Sequence, residues 1–112
     1  MFDSKWNLFT NDNDHESRAD RYAPAKLLHV IQGIDFGWPR GWMASKSADR
    51  YDLVEPVCSD MGRGVPCDML WYDHPLLGQS VRDRLLLCRW DRFAVTAFKL
   101  REHGTTFVAQ EE

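Results

Sequence analysis

The chain has 112 residues with a formal net charge of −3, and 44% of its residues are hydrophobic and 28% charged. These proportions are ordinary for one small globular domain and argue against disorder along the whole chain. The acidic balance offers no electrostatic attraction to nucleic acid or to anionic membranes, so we expect no nucleic-acid partner. The sequence contains no apolar run of the length that a transmembrane segment requires.

The aromatic content of 12%, with five tryptophans, favours a β-rich fold because flat rings pack well on pleated surfaces. The first predicted strand is Trp6–Thr10. Polar residues then run from Asn11 to Glu16, and their side chains favour turns because they bond to nearby backbone groups. The second predicted strand is Lys26–Gln32. Its apolar run, Leu27–Ile31, predicts burial on both faces of the strand.

A loop rich in glycine and tryptophan follows the second strand. Gly37 and Gly41 bracket the tripeptide of Trp38, Pro39 and Arg40. Proline fixes its own φ and biases the residue before it toward an extended conformation. We therefore expect a tight turn with an aromatic wedge packed against it.

The C-terminal part of the chain has the clearest strand pattern. Residues 43–66 show no sustained periodicity and predict an irregular connection, with a short helical turn near Ser45–Tyr51. Further predicted strands are Cys67–Tyr72, Arg84–Trp90, Phe93–Leu100 and one that starts with Thr105–Ala109. Alternation along the third of these places Val95 and Phe98 on opposite faces. The last three strands predict an antiparallel meander, and the fold class is all-β.

The three cysteines are Cys58, Cys67 and Cys88, and no C-x-x-C pair occurs among them. Their spacing supports neither a zinc ribbon nor attachment of a c-type haem. Two alternatives remain: a Cys58–Cys67 disulfide across a short loop, or three free buried thiols that act as small hydrophobic residues.

Several motifs together resemble one known family. They are Asn7–Asp14, Leu28–Gly33 and Asp35–Pro39, and the pattern H-V-x-x-G-x-x-F-G-W runs from His29 to Trp38. This series resembles the glucose/sorbosone dehydrogenase superfamily, and more narrowly the membrane-bound dehydrogenase-like group of large bacterial multidomain proteins. The segment from Arg84 to Leu100 is similar to the family hairpin that turns at W-x-x-G. The resemblance extends roughly from Asn7 to Val108.

The resemblance implies a six-bladed β-propeller, with pyrroloquinoline quinone held over the central channel beside Ca²⁺. A blade has four antiparallel strands, so this chain supplies one to two blades and is expected to be a fragment of a longer protein. Residues 1–42 are then the end of one blade with the G-x-x-F-G-W loop, 43–66 the irregular connection, and 67–112 the next blade. The remaining blades of the parent chain are the expected partners. By resemblance the parent is periplasmic or in the cell envelope.

The parent is then expected to oxidise an aldose or a related alcohol and to pass two electrons to the quinone, while this chain alone is inactive. The alternative is a non-catalytic propeller module that binds carbohydrate or protein. That alternative fits Lys26 and Asp91, which stand where related enzymes carry a calcium-binding glutamate and a quinone-contacting lysine. An autonomous small β domain without enzymatic role is the third hypothesis.

The candidate metal ligands are Asp12, Asp14 and Glu16, because Ca²⁺ prefers several oxygen ligands. The spacing does not follow the EF-hand pattern. A solvated turn, or a contact to substrate or cofactor, is the alternative role for these three carboxylates.

The candidate cofactor-binding residues are Arg89, Trp90 and Arg92, at the hairpin end where the resemblance places cations that contact the quinone. Surface ion pairs are the alternative for the arginines. Trp38 and Arg40 are the candidate substrate-binding residues, with core packing of the tryptophan as the alternative. His29 has a side chain that titrates near neutrality and could act as a base. Its apolar surroundings favour a structural, hydrogen-bonded histidine instead.

Overall fold

The computed structural model describes residues 1–13, 24–36, 56–58 and 60–112. Within these ranges the protein is all-β and contains no α-helix, as the sequence predicts. Its strands form one antiparallel sheet of two strands and one of four. Among the described residues, no helix has the length and apolar composition needed to cross a bilayer. The predicted helical turn near Ser45–Tyr51 lies outside the described residues.

The two-stranded sheet pairs β1 (Leu8–Asp12) with β2 (Lys26–Val30). The middle of β2, from Leu27 to His29, is buried on both faces, which confirms that part of the predicted apolar run. At its end, Ile31 is exposed instead. β1 also continues through Asn11 and Asp12, which the sequence assigns to a turn, because they pair with the first two residues of β2.

The larger sheet is an antiparallel meander in which neighbours in sequence are neighbours in space. Its strands are β3 (Pro66–Tyr72), β4 (Arg84–Arg89), β5 (Ala94–His103) and β6 (Thr106–Glu111), in the order β3-β4-β5-β6. Single 3₁₀ turns at Pro75–Leu77 and Trp90–Arg92 interrupt the first two connections. The predicted meander is confirmed and extends to β3.

The hydrophobic core lies between the two sheets. From the larger sheet, Leu85, Leu87 and Phe98 are fully buried, and they meet Phe9 and Leu27 of the smaller sheet. Burial of each such side chain contributes about 1.5–3 kcal/mol. Phe98 and Val95 point to opposite faces of β5, as alternation predicts: Phe98 is 0% exposed and Val95 61%.

A short segment at residues 56–58 ties the two sheets together through the backbone. The Leu27 amide donates to the Cys58 carbonyl at 3.0 Å, and the Cys58 amide donates back at 3.2 Å. The Ala109 amide of β6 donates to the Val57 carbonyl at 2.9 Å. Val57 is itself buried in the core. The segment therefore links the edges of β2 and β6.

The opposite face of the larger sheet, which we call the outer face, carries exposed apolar side chains next to charged ones. Leu70, Val95 and Val108 are 57%, 61% and 47% exposed on it. Leu70 stands opposite the half-buried Leu86 in the β3–β4 register. Arg101 pairs with Val108 on the same face, so the outer face combines an exposed apolar patch around Leu70 and Val95 with charged residues.

All three cysteines are free thiols. The expectation that they are buried is wrong for Cys67 and Cys88, which are exposed, and Cys58 is half-buried. The reason lies in the strand register: Cys67 stands at an irregularity near the start of β3, and Cys88 lies on the outer face of β4.

The core makes a direct prediction for β5. Replacing Phe98→Ala leaves a cavity between the sheets, and we expect the free energy of unfolding to fall by about 3–5 kcal/mol. The matched control is Val95→Ala, three residues away on the outer face, where we expect a change within about 0.5 kcal/mol. Urea denaturation followed by tryptophan fluorescence measures both. Equal losses for the two variants would contradict the assignment of the faces.

Candidate functional site

One candidate site lies entirely within the described residues: the turn between β4 and β5. We call it the turn site, and it consists of Arg89, Trp90, Asp91, Arg92 and Phe93. A 3₁₀ turn over Trp90–Arg92 reverses the chain, and the Phe93 amide donates to the Trp90 carbonyl at 3.2 Å. Phe93 closes the turn in the left-handed conformation, with φ 51° and ψ 40°. Bulky residues rarely adopt this conformation, which glycine favours. Phe93 stands at the position that glycine occupies in the W-x-x-G pattern.

Arg89 is buried under the turn, at 1% exposure. Its Nε and Nη2 atoms donate to the two carboxylate oxygens of Asp91, each at 3.2 Å, and Nη2 also donates to the Arg63 carbonyl at 2.9 Å. Such bidentate, charge-assisted pairs are the stronger hydrogen bonds of proteins. The third nitrogen, Nη1, is buried without a hydrogen-bond partner among the described residues. The Arg89 side chain is therefore held in the interior of the protein by bonds to its own chain.

The loop that receives this ion pair depends on a glycine. Gly64 has φ +134°, and a Cβ atom there would overlap the Asp91 carboxylate. Only a residue without a side chain lets the loop approach Asp91 so closely. The loop and the turn are thus matched in shape, and the Arg63 carbonyl joins them by its hydrogen bond with Arg89.

Arg92 is partly exposed but also bound within the chain. Its Nη1 donates to Glu111 Oε1 at 3.1 Å, and its Nη2 donates to the Met61 carbonyl at 3.3 Å. Together with the Arg89–Asp91 pair, the network contains two guanidinium groups and two carboxylates. Arg92 thus makes the expected surface ion pair, whereas the expectation of a surface pair is wrong for Arg89, whose ion pair is buried.

The exposed part of the turn site is aromatic. Trp90 is 59% and Phe93 95% exposed. The paired ionisable groups leave this surface little capacity for acid–base chemistry. The two rings are instead suited to stacking against a flat ring or the apolar face of a sugar.

Hydrogen bonds from Arg89 hold the pKa of the Asp91 carboxyl below its ordinary value, and the charges of Arg89 and Arg92 act in the same direction. The carboxylate is therefore ionised throughout the neutral range.

Most of the other predicted site residues lie outside the described residues: Asp14, Glu16, Trp38 and Arg40. Asp12 is described, and it stands at the end of β1 directly opposite Lys26. Within the described ranges, no group of three His, Cys, Asp or Glu side chains is placed to hold a metal ion.

His29 lies on the core-facing side of β2 and contacts two phenylalanines. Its ring is stacked on Phe9 at 5.1 Å between centroids and meets Phe107 edge-on at 5.0 Å. Its Nδ1 is 3.1 Å from the Thr106 hydroxyl. Burial lowers the pKa of His29, against a smaller opposing effect of Asp3. This environment is that of a structural histidine.

A groove of about 390 Å³ at the opposite end of the larger sheet was not predicted from the sequence. Aromatic side chains of Trp71 and Phe107 line it together with charged residues, among them Lys99 and the ion pair of Lys5 with Glu102 at 3.1 Å. These residues come from four distant segments, so no local motif marks them.

Comparisons with known proteins do not extend these observations. No protein-family model matches the chain. No curated protein and no solved structure shows significant similarity to it.

The left-handed conformation of Phe93 predicts a gain from glycine. We expect Phe93→Gly to raise the free energy of unfolding by about 1 kcal/mol, because the left-handed conformation costs an L-residue about 1–2 kcal/mol and glycine far less. Phe93→Ala is the control, since it removes the ring but keeps the strain. Urea denaturation compares them, and an alanine variant as stable as the glycine variant would argue against strain at this position.

The Asp91 ion pair predicts a dependence on pH. A carboxyl whose pKa is lowered in the folded state stabilises the fold above its ordinary value of 3.8, and this contribution is lost as the pH falls through the folded-state pKa. We expect Asp91→Asn to be less stable than the parent at neutral pH and to lose less stability on acidification below about pH 4. The exposed Asp73→Asn is the control.

Urea denaturation at a series of pH values measures the effect. Glu112, whose pKa is also lowered by its bond with Arg84, supplies part of the remaining acid sensitivity in both proteins. Parallel pH profiles for the parent and Asp91→Asn would contradict a stabilising ion pair.

Proposed function

We propose that this chain is part of a β-propeller related to the sugar dehydrogenases that its sequence resembles. In this proposal β3–β6 form one blade, and β1 and β2 belong to the blade before it. The parent protein oxidises an aldose or a related alcohol and transfers two electrons to a quinone cofactor. The described residues of this chain build the wall of that propeller.

The observation that carries the proposal is an exposed apolar patch on the outer face of a four-stranded meander whose inner face is already filled. A propeller blade is a four-stranded antiparallel sheet, and it packs between two neighbours. Here the inner face carries Leu85, Leu87 and Phe98, and the outer face carries Leu70 and Val95. A sheet with one filled apolar face and an apolar patch on the other is suited to an internal layer of such a stack.

The contact between the two sheets supports the same proposal. Phe9 of the smaller sheet meets Phe107 of the larger one edge-on, with 5.4 Å between ring centroids. The small sheet thus covers the inner face in the way that one blade covers the next. The left-handed residue at Phe93 further supports it, because the W-x-x-G turn of the family calls for that conformation.

The described residues do not by themselves fit a quinone site. A quinone that carries carboxylates needs accessible cations, whereas Arg89 is buried against Asp91 and Arg92 is bound to Glu111. Calcium needs several oxygen ligands, and Asp12 stands opposite a lysine. We therefore assign the binding of pyrroloquinoline quinone and Ca²⁺ to other parts of the parent protein.

The internal pairing of Arg89 and Arg92 also favours the second candidate function, a propeller that binds carbohydrate without oxidising it. In that case the exposed rings of Trp90 and Phe93 are the part of the turn site available to a sugar. The two candidates share the fold and differ in whether the parent performs redox chemistry.

The complete reading frame that contains these 112 codons tests the proposal. Its product is expressed, reconstituted with pyrroloquinoline quinone and Ca²⁺, and assayed for reduction of an electron-accepting dye with a panel of aldoses and alcohols. We expect reduction that requires both quinone and substrate, with the protein lacking quinone as the control. Saturable sugar binding without dye reduction would replace the enzyme by the binding module. A reading frame confined to these codons would contradict the propeller itself.

A further inference from the structure

We propose that Cys67 and Cys88 form a cross-strand dithiol site that closes to a disulfide by exchange with a small disulfide such as oxidised glutathione. The site joins β3 to β4 near the turn site. This inference does not rest on the proposed function, because it uses only the register and exposure of one strand pair.

The register of β3 and β4 brings the two cysteines together. Pro66 pairs with Arg89 and Met69 pairs with Leu87, with an irregularity between them. On β3 this interval contains Cys67 and Asp68, whereas on β4 it contains Cys88 alone. Two residues on one strand thus oppose one on the other, as in a β-bulge.

The spacing of opposed residues suits a disulfide. Directly opposite residues of antiparallel strands have Cα atoms about 4.5–5.5 Å apart. Disulfides occur at Cα separations of about 4.4–6.8 Å. We therefore expect closure to need adjustment of the side chains and of the bulge rather than separation of the strands. The Cys67 thiol now donates to the Val65 carbonyl at 3.4 Å, a weak bond that is readily exchanged.

Both thiols of the proposed pair are exposed to solvent, unlike the thiol of the third cysteine. Cys67 and Cys88 are exposed, whereas Cys58 is half-buried and paired with β2 through its backbone. Burial raises the pKa of the Cys58 thiol, which reduces its share of the reactive thiolate. The pair also lies at the end of the sheet beside Arg89, whereas Leu70 and Leu86 lie farther along the outer face.

Two successive thiol–disulfide exchanges close the pair. The thiolate of one cysteine attacks a sulfur of oxidised glutathione, forms a mixed disulfide and releases one glutathione thiolate. The thiolate of the other cysteine then attacks the protein sulfur of that mixed disulfide and releases the second glutathione. The two protein thiols lose two protons and two electrons in total, and one oxidised glutathione is reduced to two molecules of glutathione.

The test treats the reduced, folded chain with oxidised glutathione and maps disulfide-linked peptides by mass spectrometry. We expect a predominant Cys67–Cys88 link with Cys58 unmodified, and the same link in Cys58→Ser. Treatment in concentrated urea is the control, in which this preference should disappear. In Cys67→Ser and Cys88→Ser, the remaining exposed cysteine should keep its glutathione.

A displaced cysteine tests the geometry itself. In Cys88→Ser combined with Leu86→Cys, the new thiol stands opposite Leu70 rather than Cys67, and we expect no internal link. Persistent glutathione adducts on both Cys67 and Cys88 of the parent would overturn the proposal. A predominant link that includes Cys58, or equally efficient closure of the displaced pair, would also overturn it.

Discussion

The packing of the inner face of β4 and β5 against β1 and β2 is the interaction on which this structure depends. Leu85, Leu87 and Phe98 reach the same apolar interior as Phe9 and Leu27. A two-stranded sheet is at best marginally stable alone in water, so β1 and β2 gain their order from this contact. The backbone bonds of Val57 and Cys58 then fix the edges of the two sheets relative to each other.

This packing covers only the inner face of the larger sheet. Once the inner face is filled, the apolar side chains of the outer face, such as Leu70 and Val95, have no cover among the described residues. Charged groups lie next to this patch, as Arg101 does opposite Val108, and at the two ends of the sheet, in the turn site and in the groove beside Lys99.

The strands could be predicted from the sequence because their side chains alternate or form short apolar runs, as in β5 around Phe98. The extension of β1 could not, because Asn11 and Asp12 favour turns locally and are held in the strand by pairing with β2. The turn between β4 and β5 could be predicted, but the burial of Arg89 could not. Its environment depends on the Arg63 carbonyl and on the space left by Gly64, which are distant in sequence.

We expect the apolar patch of the outer face to pack against another sheet. Sedimentation velocity of the purified chain over a range of concentrations tests this packing. We expect reversible association that the paired substitution Leu70→Lys and Val95→Lys abolishes, with the circular dichroism of the strands unchanged. A parent chain that remains monomeric at every concentration, with a sedimentation coefficient equal to that of the lysine variant, would contradict it.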